Sequence, residues 1–136
     1  MYGKRGFTRK VLEILEKAPD YAKLYREPIR KPTFQQYTVD AKTLLQIATV
    51  LPPENLEDRQ NWAPPLKAFV QLASEVPDTY YEIYVVTEER HDERVTVEGV
   101  IFPLNAKETV REILLAEGDE PDDEQVRGVA VRWWWD

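Results

Sequence analysis

The chain has 136 residues, of which 43% are hydrophobic and 32% are charged, and its formal net charge is −7. This length suits one compact domain, and the apolar content excludes an intrinsically disordered chain. The absence of Cys excludes disulfide scaffolds, thiolate metal sites and Cys nucleophiles, and the single His excludes a multi-histidine metal site within one monomer.

The sequence lacks the features of a membrane span or a secretion signal. No apolar run approaches the ~18 residues that cross a bilayer. After Phe7, charge returns at Arg9 and Glu13, which interrupts the apolar stretch that a signal peptide requires. We therefore expect a cytoplasmic protein.

Charge is distributed unevenly along the chain. Residues 1–31 contain nine basic and four acidic residues, whereas residues 32–136 contain nine basic and 21 acidic residues. Such asymmetry is typical either of an electrostatic partner or of a basic segment that pairs with the acidic remainder of the same fold. An acidic body disfavours duplex nucleic acid, which is bound through basic contacts to phosphate, and favours a basic protein partner.

Apolar residues at helical spacing predict that the first 77 residues are mainly helical, with about four helices. Thr8 suits the N-cap of the first helix, and the pairs Pro52-Pro53 and Pro64-Pro65 separate the later ones. Clear helices are predicted at residues 8–18, 39–51 and 65–75, shorter helical segments at residues 20–27 and 53–59, and an extended loop at residues 28–37.

From residue 78 the pattern changes to β-β-α-β. Aromatic and β-branched residues predict strands at residues 79–88 and 94–102, which a short polar loop joins as a hairpin. A helix over residues 105–116 ends at Gly118, and residues 125–135 form a third strand. The expected fold is one α+β domain over residues 1–136, with helices packed on a three-stranded, mostly antiparallel sheet.

The last strand ends in Arg132-Trp133-Trp134-Trp135. Alternation places Trp133 and Trp135 on one face of the sheet and Arg132 and Trp134 on the other. A regular strand cannot direct three consecutive indoles into one core, and Trp is common at binding hot spots, so these four residues are predicted to bind a partner. The alternative is a sheet covered on both faces, which buries all three rings. The terminal strand also permits pairing with a second copy of the chain.

Two tyrosines of the first strand extend this candidate surface. Tyr81, Ile83 and Val85 suit the core, which places Tyr80 and Tyr84 on the open sheet face with Trp134. Open aromatic sheet faces stack bases in some modules that bind single-stranded nucleic acid. Glu82 and Glu98 share this face and would repel phosphate, and cross-strand aromatic pairing for stability is the alternative.

Basic residues cluster around the first helix. Lys4, Arg5, Arg9 and Lys10 are candidates for contacts with phosphate or with an acidic protein surface. They do not form a consecutive basic run, so a solvated helix face is the alternative.

No sequence motif indicates catalysis, a cofactor or a metal. The acidic turn at residues 117–124 has Pro121 in its middle and no glycine at the position that a calcium loop needs. His91 falls in a charged hairpin loop, where a shaped catalytic site is uncommon. The order of helices and hairpin also resembles a winged helix, but its recognition helix would carry only Lys67 as a basic residue.

The sequence therefore predicts a non-enzymatic interaction module. We expect a small acidic adaptor, inhibitor or regulator that binds a basic protein partner. The alternative is single-stranded nucleic-acid binding, with the aromatic sheet face stacking bases and the basic N-terminal residues contacting phosphate. A small enzyme is a third alternative, for which the sequence offers no motif.

Overall fold

A computed structural model describes residues 4–136. Two short 3-10 turns, at Ala22–Leu24 and Leu104–Ala106, accompany the regular elements. The α-helices of the described part are α1 (Thr8–Lys17), α2 (Ala41–Ala48), α3 (Pro53–Leu56), α4 (Leu66–Glu75) and α5 (Lys107–Leu114). Its strands are β1 (Arg30–Lys31), β2 (Phe34–Asp40), β3 (Tyr80–Val86), β4 (Arg94–Pro103), β5 (Asp123–Arg127) and β6 (Ala130–Trp134).

These strands form one six-stranded sheet in the order β1-β2-β3-β4-β6-β5, and all neighbouring strands are antiparallel. The α+β class is confirmed, but the prediction of a three-stranded sheet after about four N-terminal helices is wrong. Half of the strands were missed: the short β1, the long β2 and one arm of the C-terminal hairpin. The predicted β3–β4 hairpin is present.

The missed β2 lies where an extended loop and the start of a helix were predicted. Pro28 and Pro32, within the segment predicted as a loop, both precede β2 and leave its hydrogen bonds to β3 intact. The boundary with α2 falls at Asp40, whose carboxylate accepts the Thr43 N–H at 2.8 Å as an N-cap. Val39 is therefore a buried strand residue and not the first apolar residue of a helix.

The predicted last strand is a hairpin. Gly128 adopts φ +58°, a left-handed conformation that favours glycine, and turns the chain between β5 and β6. As a result β6 lies inside the sheet, with β4 on one side and β5 on the other. A second copy of the chain therefore cannot pair with β6, because both edges of this strand are bonded within the sheet.

The helices pack against one face of the sheet, which we call the helix face. Its core includes Val11, Leu44 and Phe69 from the helices, packed with the inward residues of β3, β4 and β6. Tyr81, Ile83 and Val85 are fully buried there, as the alternation predicted. The helices predicted at residues 8–18 and 65–75 are present as α1 and α4.

The opposite face of the sheet is covered by the segment between α1 and β1, which we call the strap (residues 19–29). It starts at the edge of β2, where the Tyr21 N–H donates to the Thr38 carbonyl at 2.8 Å. It reaches the β5–β6 hairpin, where the Arg127 guanidinium lies 5.3 Å from the Tyr25 ring. Both faces of the sheet are therefore at least partly covered. Across the described residues, no helix is long and apolar enough to cross a membrane.

Candidate functional site

The terminal tryptophan run divides between the two faces of the sheet. Trp133 and Trp135 are only 1% and 2% exposed on the helix face. Trp133 packs edge-on against Phe102 at 5.0 Å and Trp135 against Phe69 at 5.8 Å. Their indole N–H groups are also satisfied within the chain, by a Glu124 carboxylate oxygen and the Asp119 carbonyl oxygen. These two rings are core residues and present no surface to a partner.

Trp134 and Arg132 lie on the opposite face of the sheet, which the strap partly covers and which we call the strap face. The Arg132 guanidinium stacks on the Trp134 ring at 4.1 Å and donates two hydrogen bonds to the Glu82 carboxylate, at 2.8 and 3.0 Å. Both side chains are half-buried. Trp134 therefore retains partial exposure, but the Arg132 guanidinium that stacks on it is already engaged by an internal ion pair with Glu82.

The tyrosines of the strap face are paired with other aromatic rings. Tyr80 meets the Tyr21 ring of the strap edge-on at 4.9 Å, and Tyr84 stacks on Phe34 of β2 at 4.9 Å. Arg94 also donates to the Tyr84 hydroxyl at 3.1 Å. The structure brings Tyr80 and Tyr84 onto the predicted face, yet it does not leave them as an open stacking platform.

Between the strap and the sheet lies a cluster of two arginines and two glutamates. Arg26 of the strap makes an ion pair with Glu98 at 3.0 Å and approaches Glu82 at 3.6 Å, while Arg132 holds Glu82 from the other side. Burial raises the pKa of Glu98, and the nearby Arg26 opposes that shift. Gly99 provides the space for this cluster, because a Cβ atom there would lie 2.6 Å from a Glu82 carboxylate oxygen.

The four basic N-terminal residues do not form one free cationic surface. Arg9 makes two hydrogen bonds with the Glu88 carboxylate, at 2.6 and 2.7 Å, and Arg5 donates to the Glu88 carbonyl oxygen. Lys4 and Lys10 are exposed and line a shallow groove beside the end of α2. The geometry thus leaves fewer cations for phosphate than the sequence suggested.

A buried glutamate explains why this basic segment is fixed in place. Glu93 is fully buried and accepts hydrogen bonds from the Gly6 N–H, the Thr8 N–H and the Thr8 hydroxyl, at 2.8, 3.1 and 2.6 Å. It therefore satisfies donors at the N-terminus of α1 from the β3–β4 loop. Thr8 was predicted as the N-cap of this helix, but it is the first helical residue and a donor to Glu93.

A strongly exposed aromatic side chain lies outside the sequence-predicted candidates. Trp62 is 73% exposed, in the loop between α3 and α4. Asn61 and Trp62 adopt φ +54° and +62°, and the Ala63 N–H donates to the Gln60 carbonyl at 3.0 Å, as in a type I′ turn. A bulky side chain in left-handed backbone is uncommon and costs about 1–2 kcal/mol.

The Trp62 turn is held rigidly against the acidic turn. The Trp62 carbonyl oxygen accepts the Asp119 N–H at 3.0 Å and an Arg59 guanidinium N–H at 3.1 Å. Gly118 packs so closely on Pro64 that a Cβ atom there would lie 2.6 Å from the proline nitrogen. We call this region the Trp62 surface, defined by the exposed residues Arg59, Asn61, Trp62, Glu117, Asp119 and Glu120.

The Trp62 surface is acidic around its aromatic centre. Glu117 has one ion-pair partner, Lys67, at the long distance of 3.8 Å, and Glu120 pairs with Arg111 at 2.6 Å. The Arg59 guanidinium lies 5.9 Å from the Trp62 ring. An exposed indole can stack on a guanidinium, and the carboxylates of the adjoining turn can pair with neighbouring cations.

The sequence contained a signal for this site that was not used. Asn61 is a residue type that tolerates left-handed backbone, and it stands beside Trp62 in a segment bounded by the two proline pairs. His91 and the acidic turn, the other candidates, are exposed. Within residues 4–136, no group of three or more His, Asp and Glu side chains is arranged to hold a metal ion.

No protein-family model, curated protein sequence or solved structure matches this chain.

Proposed function

We propose that this protein is a binding module that recognises a basic protein partner through the Trp62 surface. The observation that carries the proposal is Trp62 itself, a large aromatic side chain kept 73% exposed on left-handed backbone. Exposure of a large aromatic ring and left-handed backbone at a bulky residue are both unfavourable, and strained residues of this kind concentrate at binding and catalytic sites. A rigid tryptophan also supplies binding area at low cost in conformational entropy.

The charge of the chain supports a basic partner. The exposed residues Glu117, Asp119 and Glu120 lie on the acidic turn that bonds to the Trp62 carbonyl oxygen, within a chain of net charge −7. Arginine is the complementary side chain, because its planar guanidinium stacks on aromatic rings and pairs with carboxylates. An adaptor, inhibitor or regulator of an arginine-rich protein fits this arrangement.

Single-stranded nucleic acid receives less support from the geometry. Its predicted platform, Tyr80, Tyr84 and Trp134, is paired with other side chains beneath the strap, next to Glu82 and Glu98. Two of the predicted phosphate contacts, Arg5 and Arg9, bind groups of the chain itself.

The proposal is tested by fluorescence anisotropy with three labelled probes at low ionic strength: nona-arginine, nona-glutamate and a fifteen-residue oligothymidine. We expect saturable, salt-sensitive binding of nona-arginine alone, weakened at least tenfold by Trp62→Gly and also by Asp119→Lys. The matched control, Trp134→Phe, retains the wild-type affinity. Equal affinity for wild type and Trp62→Gly contradicts the proposed surface, and preferential binding of oligothymidine favours the nucleic-acid alternative.

A further inference from the structure

One edge of the sheet has no partner strand among the described residues. β5 lies at the edge of the sheet, and only β6 pairs with it. The other edge is shielded, because the short β1 and Tyr21 of the strap both bond to the outer side of β2. An open edge exposes main-chain donors and acceptors and is a template for a further strand.

The hairpin geometry identifies which groups of β5 are free. Gly128 and Val129 form a two-residue loop, so the flanking residues Arg127 and Ala130 form a hydrogen-bonded pair. Along an antiparallel pair, the residues bonded to one neighbour alternate with those directed to the other side. The N–H and C=O groups of Glu124 and Val126 are therefore directed away from β6.

The side chains of β5 leave this edge accessible. The Glu124 carboxylate is turned back onto the Trp133 indole N–H at 2.6 Å and the Lys107 ammonium at 3.1 Å. Val126 is 52% exposed, and Val129 in the loop is 78% exposed. β5 contains no proline or lysine, the residues that commonly block sheet edges.

The sequence of β5 is complementary to itself in an antiparallel arrangement. When two copies are aligned about Gln125, Asp123 of each copy lies opposite Arg127 of the other. Glu124 then lies opposite Val126, which brings the free main-chain groups of both strands together as hydrogen-bonded pairs. Two neighbouring alignments are centred on Glu124 or on Val126. They place Glu124 opposite Glu124 of the other copy, or Val126 opposite Val126, and both lose the two Asp123–Arg127 pairs. Opposite charges on facing residues stabilise a strand pair, whereas like charges destabilise it.

We propose that two copies of this chain form a dimer by antiparallel pairing of their β5 strands about Gln125, which joins the two sheets into one of twelve strands. The corner that receives Arg127 of the second copy has excess negative charge. Asp136 there has a raised pKa, caused by burial and by the neighbouring Asp123 and Asp122. A guanidinium from the second copy would relieve this repulsion. The dimer edge does not involve Trp62, so this inference stands independently of the proposed function.

A charge-exchange experiment tests the pairing by analytical ultracentrifugation. We expect the wild type to sediment as a dimer of the 16.0 kDa chain, and Asp123→Arg and Arg127→Asp each to weaken dimerisation at least tenfold. Mixing the two variants in equal amounts restores the charge pairs, so a heterodimer forms. A wild type that stays monomeric at millimolar concentration overturns the proposal, as does a dimer that tolerates both substitutions.

Two further variants test the register and the backbone contact. Because the chain contains no Cys, Gln125→Cys provides a single thiol, and facing residues across the axis are close enough for a disulfide. We expect rapid oxidation to a covalent dimer, and none for the exposed control Glu112→Cys. Val126→Pro removes an outward N–H that β6 does not use, so it reduces dimerisation while circular dichroism shows a folded chain. Equal crosslinking of both Cys variants contradicts the register.

Discussion

Two tryptophan-containing regions of this molecule have opposite environments. The terminal run, Trp133 to Trp135, has the composition of a binding hot spot, but two of its rings are buried and the third stacks on an arginine. Trp62 stands alone in a loop and is 73% exposed. A dense group of aromatic residues in a strand therefore indicates a core when helices cover the sheet, whereas an isolated one on a tight turn has no such cover.

The difference arises from backbone geometry. A strand directs alternate side chains to opposite faces, so Trp133 and Trp135 follow Val131 into the core. In the Trp62 turn the backbone is reversed by two residues with positive φ, which directs the side chain away from the body. Exposure of the indole thus follows from the conformation of the turn and from its anchoring to Asp119.

The largest effect is expected when a buried ring is removed. Trp133→Ala eliminates the contact with Phe102 and leaves the Glu124 carboxylate without its indole donor. We expect a loss of about 3–5 kcal/mol in the free energy of unfolding, measured by urea denaturation. A loss below about 1 kcal/mol would show that the ring is not part of the core.

The ion pairs near the two regions provide the second test. Glu82→Gln leaves the partly buried Arg132 without its countercharge and leaves Arg26 paired with Glu98 alone. We expect about 3 kcal/mol of destabilisation. The control is Glu120→Gln, which breaks the exposed pair with Arg111 beside the Trp62 surface and should have no measurable effect on unfolding. Equal effects of the two substitutions would contradict the difference in burial.

The third test concerns backbone strain at Trp62. Trp62→Gly removes a mostly exposed side chain and relaxes a left-handed residue, while glycine increases the entropy of the unfolded chain. We expect a free energy of unfolding equal to that of the wild type or up to about 1 kcal/mol greater. Asn61→Gly is the control at the neighbouring left-handed position. A loss above about 1 kcal/mol for Trp62→Gly would mean that the indole packs on the fold.

The smallest effect is a pH dependence at Glu98. Burial raises the pKa of this carboxyl in the folded state, so the folded state retains its proton to higher pH than the unfolded state does. Its contribution is most favourable below the unfolded pKa and declines as pH rises through the folded pKa. The stability of the wild type relative to Glu98→Gln should therefore fall between pH 4 and pH 7. Urea denaturation at both pH values measures this difference, and an increase with pH contradicts the shift.

Local patterns in the sequence predicted part of this fold. Alternation gave the correct core side for Tyr81, Ile83 and Val85, and apolar spacing located α1 and α4. The β5–β6 hairpin was missed because its turn depends on the single Gly128 in a segment that otherwise has the composition of one strand. β2 was missed because β3, the strand with which it pairs over its whole length, lies far along the chain, and no local pattern records that pairing.

The candidate site was harder to predict than the fold. The predicted residues Tyr80, Tyr84 and Arg132 do share a face, but only the three-dimensional path of the strap shows that this face is covered. Exposure of Trp62 likewise depends on its turn and on the contact with Asp119, which is distant in sequence. Burial of a specific side chain is a tertiary property that residue type and spacing do not determine.

Acrylamide quenching of tryptophan fluorescence tests the central difference between the two regions most directly. The experiment compares the wild type with Trp62→Phe, which removes the exposed indole and keeps an aromatic ring in the turn. We expect strong quenching in the wild type and markedly weaker quenching in the variant, because Trp133 and Trp135 are buried and Trp134 is only partly exposed beside Arg132. Quenching that persists unchanged in Trp62→Phe would place the accessible rings in the terminal run and contradict this account.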